Sequence, residues 1–149
     1  MRKWLILAAL LMALPASAQM QAVQQIFQNF GMIGVWAPAC GAPIGAATDS
    51  TEAIYALSHS DGVILTYDYG PNHPASSYRI LSARMESKDR LAYVEQRLID
   101  KAQVTVTVVK VKGTINVMSS VSANGHVLVQ DGRIVANGQE TPRRTRCRI

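Results

Sequence analysis

Two periods of apolar spacing divide this chain. Between Gln19 and Phe30 the apolar positions Val23, Ile26, Phe27 and Phe30 fall at i, i+3, i+4 and i+7, with glutamines between them. That is one stripe of an amphipathic helix. Gly31 follows as a stop, since glycine takes the left-handed conformation that ends helices. The spacing predicts a short helix over residues 19–31. The helix carries no lysine or arginine, unlike helices that lie on lipid. It is expected to cover an open end or a face of the sheet that follows.

From residue 51 the period becomes two. Val104, Val106 and Val108 alternate with Thr105 and Thr107, Ile115 and Val117 flank Asn116, and Val127 and Val129 alternate with His126 and Gln130. In a strand such sets face opposite sides. Strand-like runs cover 51–58, 63–69, 77–85, 90–98, 103–111, 114–121, 126–130 and 133–137, after a first strand near Gly34–Trp36. Turn signals separate them: Ser60–Asp61–Gly62, Lys88–Asp89, Asp100–Lys101, Lys112–Gly113, Asn124–Gly125, Asp131–Gly132 and Asn137–Gly138. Asp-Gly and Asn-Gly favour two-residue hairpins, and hairpins in series make an antiparallel meander. Closing that meander into a barrel hides its edges. The expected fold is therefore all-β: an up-and-down meander closed into an eight-stranded barrel, with a short N-terminal helix. Residues 32–149 form one domain in this reading. The composition of 52–57 and 83–98 also admits helix, and that alternative stays open.

Before the helix the pattern is that of a delivery signal. Arg2 and Lys3 precede an apolar run over residues 4–15, and Ala16–Ser17–Ala18 is an A-x-A cleavage site. The run is short for a membrane span, although an uncleaved anchor is the alternative. Residues 1–18 are read as a signal peptide cleaved near Ala18, which leaves 131 of the 149 residues and a periplasmic or secreted address.

Export changes the meaning of charge and cysteine. The chain carries +5, of which Arg2 and Lys3 supply two units and Arg143, Arg144, Arg146 and Arg148 four, so residues 19–141 sum to −1. Basic charge confined to one tail is not the footprint of a nucleic-acid binder. It suits an anionic envelope surface or a solvated end. In an oxidising compartment the two cysteines, Cys40 and Cys147, are expected to pair. An intermolecular bridge or free thiols are the alternatives. The bridge would close a loop of 108 residues and hold the tail beside the first strand.

Gly34–Val35–Trp36 on a first strand, soon after a short helix, resembles the lipocalin signature. In that fold the tryptophan plugs one end of the barrel, and an arginine from late in the chain packs across its ring. The resemblance implies a partner for Trp36 among Arg143, Arg144 and Arg146. A tail running antiparallel from Cys147 puts Arg143 opposite Trp36 in simple register; Arg144 or Arg146 takes its place if the register slips or bulges. On the residues alone, Trp36 reads as a core tryptophan. Thr66–Tyr69 comes too early, and in the wrong order, for the family's threonine–aspartate–tyrosine motif. Small bacterial periplasmic barrels, among them protease and lysozyme inhibitors, are nearer in plan, but no inhibitor motif transfers residue by residue.

Candidate chemistry is sparse. His59, His73 and His126 form no metal-ligand pair at recognised spacing. Ser58–His59–Ser60–Asp61 places triad residue types in one tight turn, where they cannot converge. Asp68 and Glu95 are single carboxylates without a mate, and no glycine-rich phosphate loop occurs. No cofactor, metal or catalytic residue is expected. The one candidate binding segment is residues 67–74, where Tyr67, Tyr69, Asn72 and His73 sit among Gly70, Pro71 and Pro74. Prolines lower the entropy cost of presenting side chains, and tyrosine-bearing rigid loops suit protein contacts. The expected function is an exported, non-catalytic barrel that binds another protein or an envelope component, in the manner of an inhibitor. A carrier of a small apolar ligand within the barrel is the alternative, and an enzyme is the third class. A hollow interior would mark the carrier; a filled one with an exposed loop would mark the binding module.

Overall fold

The computed structural model describes residues 15–45 and 50–149. The apolar run proposed as a signal falls almost entirely outside them. The first element is α1 (Ala16–Phe30). Ten strands follow: β1 (Gly34–Ala37), β2 (Glu52–Ser58), β3 (Gly62–Asp68), β4 (Ser76–Ser87), β5 (Arg90–Arg97), β6 (Gln103–Val111), β7 (Thr114–Ser122), β8 (Val127–Gln130), β9 (Arg133–Ile134) and β10 (Arg144–Arg148). Each of β1 to β8 pairs antiparallel with the next, as turn chemistry predicts. Lys112–Gly113 and Asp131–Gly132 are left-handed at both positions, with φ of 48° and 80°, and 49° and 74°. That backbone matches the twist of the strands it joins. The segments at 52–57 and 83–98 that also admitted helix are strands; their alternation prevails over composition.

Closure comes from the tail. β10 pairs with β1 through Trp36↔Arg146 and Ala37↔Thr145, and with β7 through Arg144↔Ile115 and Thr145↔Thr114. Strands β1 to β7 and β10 thus form a closed eight-stranded antiparallel barrel. This corrects the expected identity of its members. The runs at 126–130 and 133–137 lie outside the ring, and the second shortens to Arg133–Ile134. β8 meets β7 only near the end of that strand, at Ser120 and Val121, and the Asp131–Gly132 turn then reverses the chain so that β9 pairs back on β8. The first residues of β7 are left free for β10.

Helix α1 shuts one end of the barrel. It starts at Ala16, three residues before the expected start, because alanine and serine extend the helix readily after Pro15. Cleavage after Ala18 would remove its first turn and leave the apolar stripe intact. Gly31, at φ 74°, ends it. Gln24 Nε2 donates to Ser58 O and Gly62 O, both at 3.0 Å, which fixes the helix to the β2–β3 turn. Lys110 Nζ donates to Phe30 O at 2.8 Å and sits 4.6 Å from the Phe30 ring centroid. A cation there satisfies a terminal carbonyl and complements the helix dipole. Phe27 enters the barrel, 5.9 Å from the Tyr55 ring and 5.4 Å from that of Tyr93. Phe27 and Phe30 are fully buried with Met32, Leu65, Leu91 and Val108; each phenyl contributes roughly 1.5–3 kcal/mol.

Candidate binding site at the open end of the barrel

The opposite end carries the β1–β2, β3–β4, β5–β6 and β7–β8 connections. Strand alternation aims a polar layer at it. In β5, Leu91 and Tyr93 face inward, so Glu95 does too, two residues nearer the mouth. Its cross-strand neighbours are Ile80 on β4 and Val104 on β6. Glu95 is only 6% exposed, and its Oε2 is buried without a hydrogen-bond partner. Burial pushes its carboxyl up to about 7, because the ionised form loses water that nothing replaces. Around it stand Tyr55, Tyr67, Tyr78 and Tyr93, each raised above the ordinary tyrosine range first by burial and further by the glutamate's charge. Tyr55 and Tyr93 share a hydrogen bond of 3.1 Å between hydroxyls.

A partly enclosed cavity of about 210 Å³ opens beside this carboxylate, with walls that include Tyr78, Glu95, Arg97, Val104, Ser120 and Leu128. Arg97 is fixed by Asp100 through contacts of 2.9 and 2.6 Å. On the outer rim a groove of about 450 Å³ runs between the β3–β4 loop and the β5–β6 turn, lined by Pro74, Ala75, Ser77, Leu98 and Ile99. Ile99 is 90% exposed at its edge.

The proposed binding segment reaches this end but divides. Asn72 and His73 are exposed on the β3–β4 loop. Tyr69 is half-buried and stacks on Tyr67 at 6.4 Å. Tyr67 belongs to β3 rather than to the loop; its ring faces inward, edge-on to Tyr78 at 5.7 Å and 5.8 Å from the Arg144 guanidinium carbon. Arg144 also donates to Thr51 Oγ1 at 3.1 Å.

Cys40 and Cys147 form the disulfide, with Cα atoms 5.3 Å apart. The register beside it differs from the simple one. Strand β1 ends at Ala37, before Pro38, so Cys40 lies in a turn and not four rungs along a strand. In β10 a bulge inserts Cys147 between Arg146, opposite Trp36, and Arg148, opposite Val35. The arginine over Trp36 is therefore Arg146, at 6.0 Å, while Arg143 is exposed. Trp36 is a core residue, 2% exposed, with its indole N–H donating to Met32 O at 2.8 Å. Gly34 is required by close approach: a Cβ there would lie 2.5 Å from Arg148 O, and its φ is 133°.

The Ser58–Asp61 string is the β2–β3 turn, where Asp61 accepts hydrogen bonds from Ser60 at 2.6 Å and Ser58 at 3.3 Å and pairs with Arg79. Among the described residues no group of three or more His, Cys, Asp or Glu is placed to hold a metal, and no helix is long and apolar enough to cross a membrane. No protein-family model, curated protein or solved structure matches the chain.

Proposed function

We propose that the protein is a non-catalytic binding module that presents the open end of its barrel to another protein of the cell envelope. The observation that carries this reading is the interior itself: α1 shuts one end and fills it with Phe27, and the cavity beside Glu95 at the other end, as the described residues line it, holds about 210 Å³. Sites for ligands of ordinary size run to roughly 300–1,000 Å³, so the volume speaks for a binding module over an apolar carrier. The rim groove, the exposed Ile99 and the proline-stiffened loop bearing Asn72 and His73 form the proposed contact surface. Tyr67 supports that surface from within, and Tyr69 stacks on it. The signal-like N-terminal pattern and the cross-link support a location outside the cytoplasm, and the lipocalin-like closure of a barrel over an Arg–Trp pair supports the same class of protein.

A photo-crosslinking residue in place of Ile99 tests the reading, with one in place of Lys112 at the shut end as control. Discrete adducts with an envelope protein from the first position and none from the second are expected. Adducts of equal yield from both, or from neither, would overturn it.

A further inference from the structure

The mouth cavity contains an uncompensated charge. Glu95 is 6% exposed, lines the cavity, and makes no ion pair or hydrogen bond among the described residues. A carboxylate placed this way costs stability unless something pairs with it. Neither nearby cation pairs with it among the described residues: Arg97 holds Asp100, and Arg144 lies on Tyr67 and donates to Thr51 while its Nε is buried without a partner. Tyr78 stands on the adjoining wall, and Val104 and Leu128 supply apolar surface. An acceptor-only carboxylate at the base, an aromatic wall and an apolar collar match the needs of a cation with a short alkyl stem.

We infer that this cavity is a subsite for a small organic cation, a primary ammonium or guanidinium group, with Glu95 as its counter-ion and Tyr78 as its aromatic wall. The volume of about 210 Å³ suits a group of a few heavy atoms and excludes a large ligand. The cation has two sources of the same chemistry: a free small amine, or a lysine or arginine side chain inserted by a protein docked on the rim. Only the second rests on the function proposed above. The groups facing Glu95 from the other walls are Tyr55, Tyr67, Tyr78 and Tyr93, all raised above the ordinary tyrosine range, together with Arg97 and Arg144. Among the described residues lining the cavity, Glu95 is the group that changes charge between weakly acid and weakly alkaline solution.

The test uses the full chain at about pH 8, where Glu95 is ionised. Propylammonium, propylguanidinium, neutral propylurea and a short uncharged-flank peptide with one arginine are titrated, and backbone amide shifts are followed by NMR. The two small cations are expected to bind saturably, with shifts centred on Tyr78, Glu95 and Ser120. Glu95→Gln should weaken them about tenfold or more, the loss expected for removal of a charged hydrogen-bond partner. Asp89→Asn, on the turn at the shut end, should leave them unchanged. Binding of the peptide but not the small cations, again dependent on Glu95, supports the subsite with a protein side chain as its source. Saturation by propylurea equal to that of the cations, unchanged affinity in Glu95→Gln, or no saturable binding by any cationic probe would each overturn the inference. The wild-type shift map decides the matter even if the variant folds poorly. Failure of the rim crosslink with binding of the small cations intact would remove the docking reading and leave the subsite standing.

Discussion

Arg146 stacks over Trp36 and ties the last strand of the barrel to the first. Its guanidinium carbon lies 6.0 Å from the ring centroid, and its Nη2 donates to Ile33 O at 2.6 Å. A half-buried cation–π contact and a hydrogen bond from a charged donor together contribute on the order of 2–3 kcal/mol. Arg146→Ala should lower stability by that amount and shift the emission of Trp36, measured in a Trp4→Phe background. Arg143→Ala, at an exposed position, should change stability by less than about 0.5 kcal/mol and leave emission unchanged.

The disulfide fixes the same junction at the bulge itself. Cys40 and Cys147 are 107 residues apart in sequence, so the bridge restrains nearly the whole unfolded barrel. Replacing both cysteines by serine should cost roughly 3–5 kcal/mol, the range for long loops. Chemical denaturation of the two proteins measures the difference. Hydrogen exchange should show β10 opening first in the variant, because the tail then relies on a few ladder bonds with β1 and β7. Alkylation of two thiols in the native protein would contradict the pairing.

Much of this junction was legible in the sequence, and the reasons for the rest are specific. The turn residues located nearly every strand end, since Lys112–Gly113 and Asp131–Gly132 demand backbone that few residue pairs accept. Two cysteines and a Gly34–Val35–Trp36 strand pointed to closure through the tail. The arginine register was not legible. It depends on the bulge at Cys147 and on the chain turning away after Ala37, and neither leaves a mark in hydropathy. Membership of the ring was hidden for a similar reason, because β8 and β9 alternate as a barrel strand would. Glu95 is a different case. Its place two and four residues after Tyr93 and Leu91 already put it on the inward face of β5. Counting it as a carboxylate without a mate overlooked that a buried carboxylate without a mate is itself a signal.

That carboxylate gives the fold an unusual dependence on pH. In the unfolded chain Glu95 ionises near its ordinary 4.5, and in the fold near 7. Between these values the folded state holds the additional proton, so stability falls as pH rises through the window and levels off above it. The separation corresponds to a loss on the order of 3 kcal/mol. Urea midpoints at about pH 5 and about pH 8 should show the decline in the wild type, and Glu95→Gln should abolish it. Asp61, Glu86 and Asp100 are held low by Ser60, Arg84 and Arg97 respectively. They act in the opposite sense, and only as pH falls through and below the ordinary carboxylate range. A decline that persists in Glu95→Gln would assign it to another group.

Phe27 decides whether the barrel can be converted from a filled module to a hollow one. The side chain is fully buried and touches Tyr55 and Tyr93 in the middle of the barrel. Phe27→Ala removes its transfer free energy and leaves a cavity that the closed wall cannot collapse to fill, a loss of about 3–5 kcal/mol. Domains of this kind have roughly 5–15 kcal/mol in hand, and the bridge between Cys40 and Cys147 remains, so the variant should fold with a lowered melting temperature. The space left at the shut end is lined by the Tyr55 and Tyr93 rings and should stay dry. Benzene or toluene should therefore raise the melting temperature of Phe27→Ala in a saturable way and leave the wild type unmoved. Saturable binding of the same probe by the wild type would mean that the interior already accommodates an apolar guest, and the carrier reading would then replace the one proposed here.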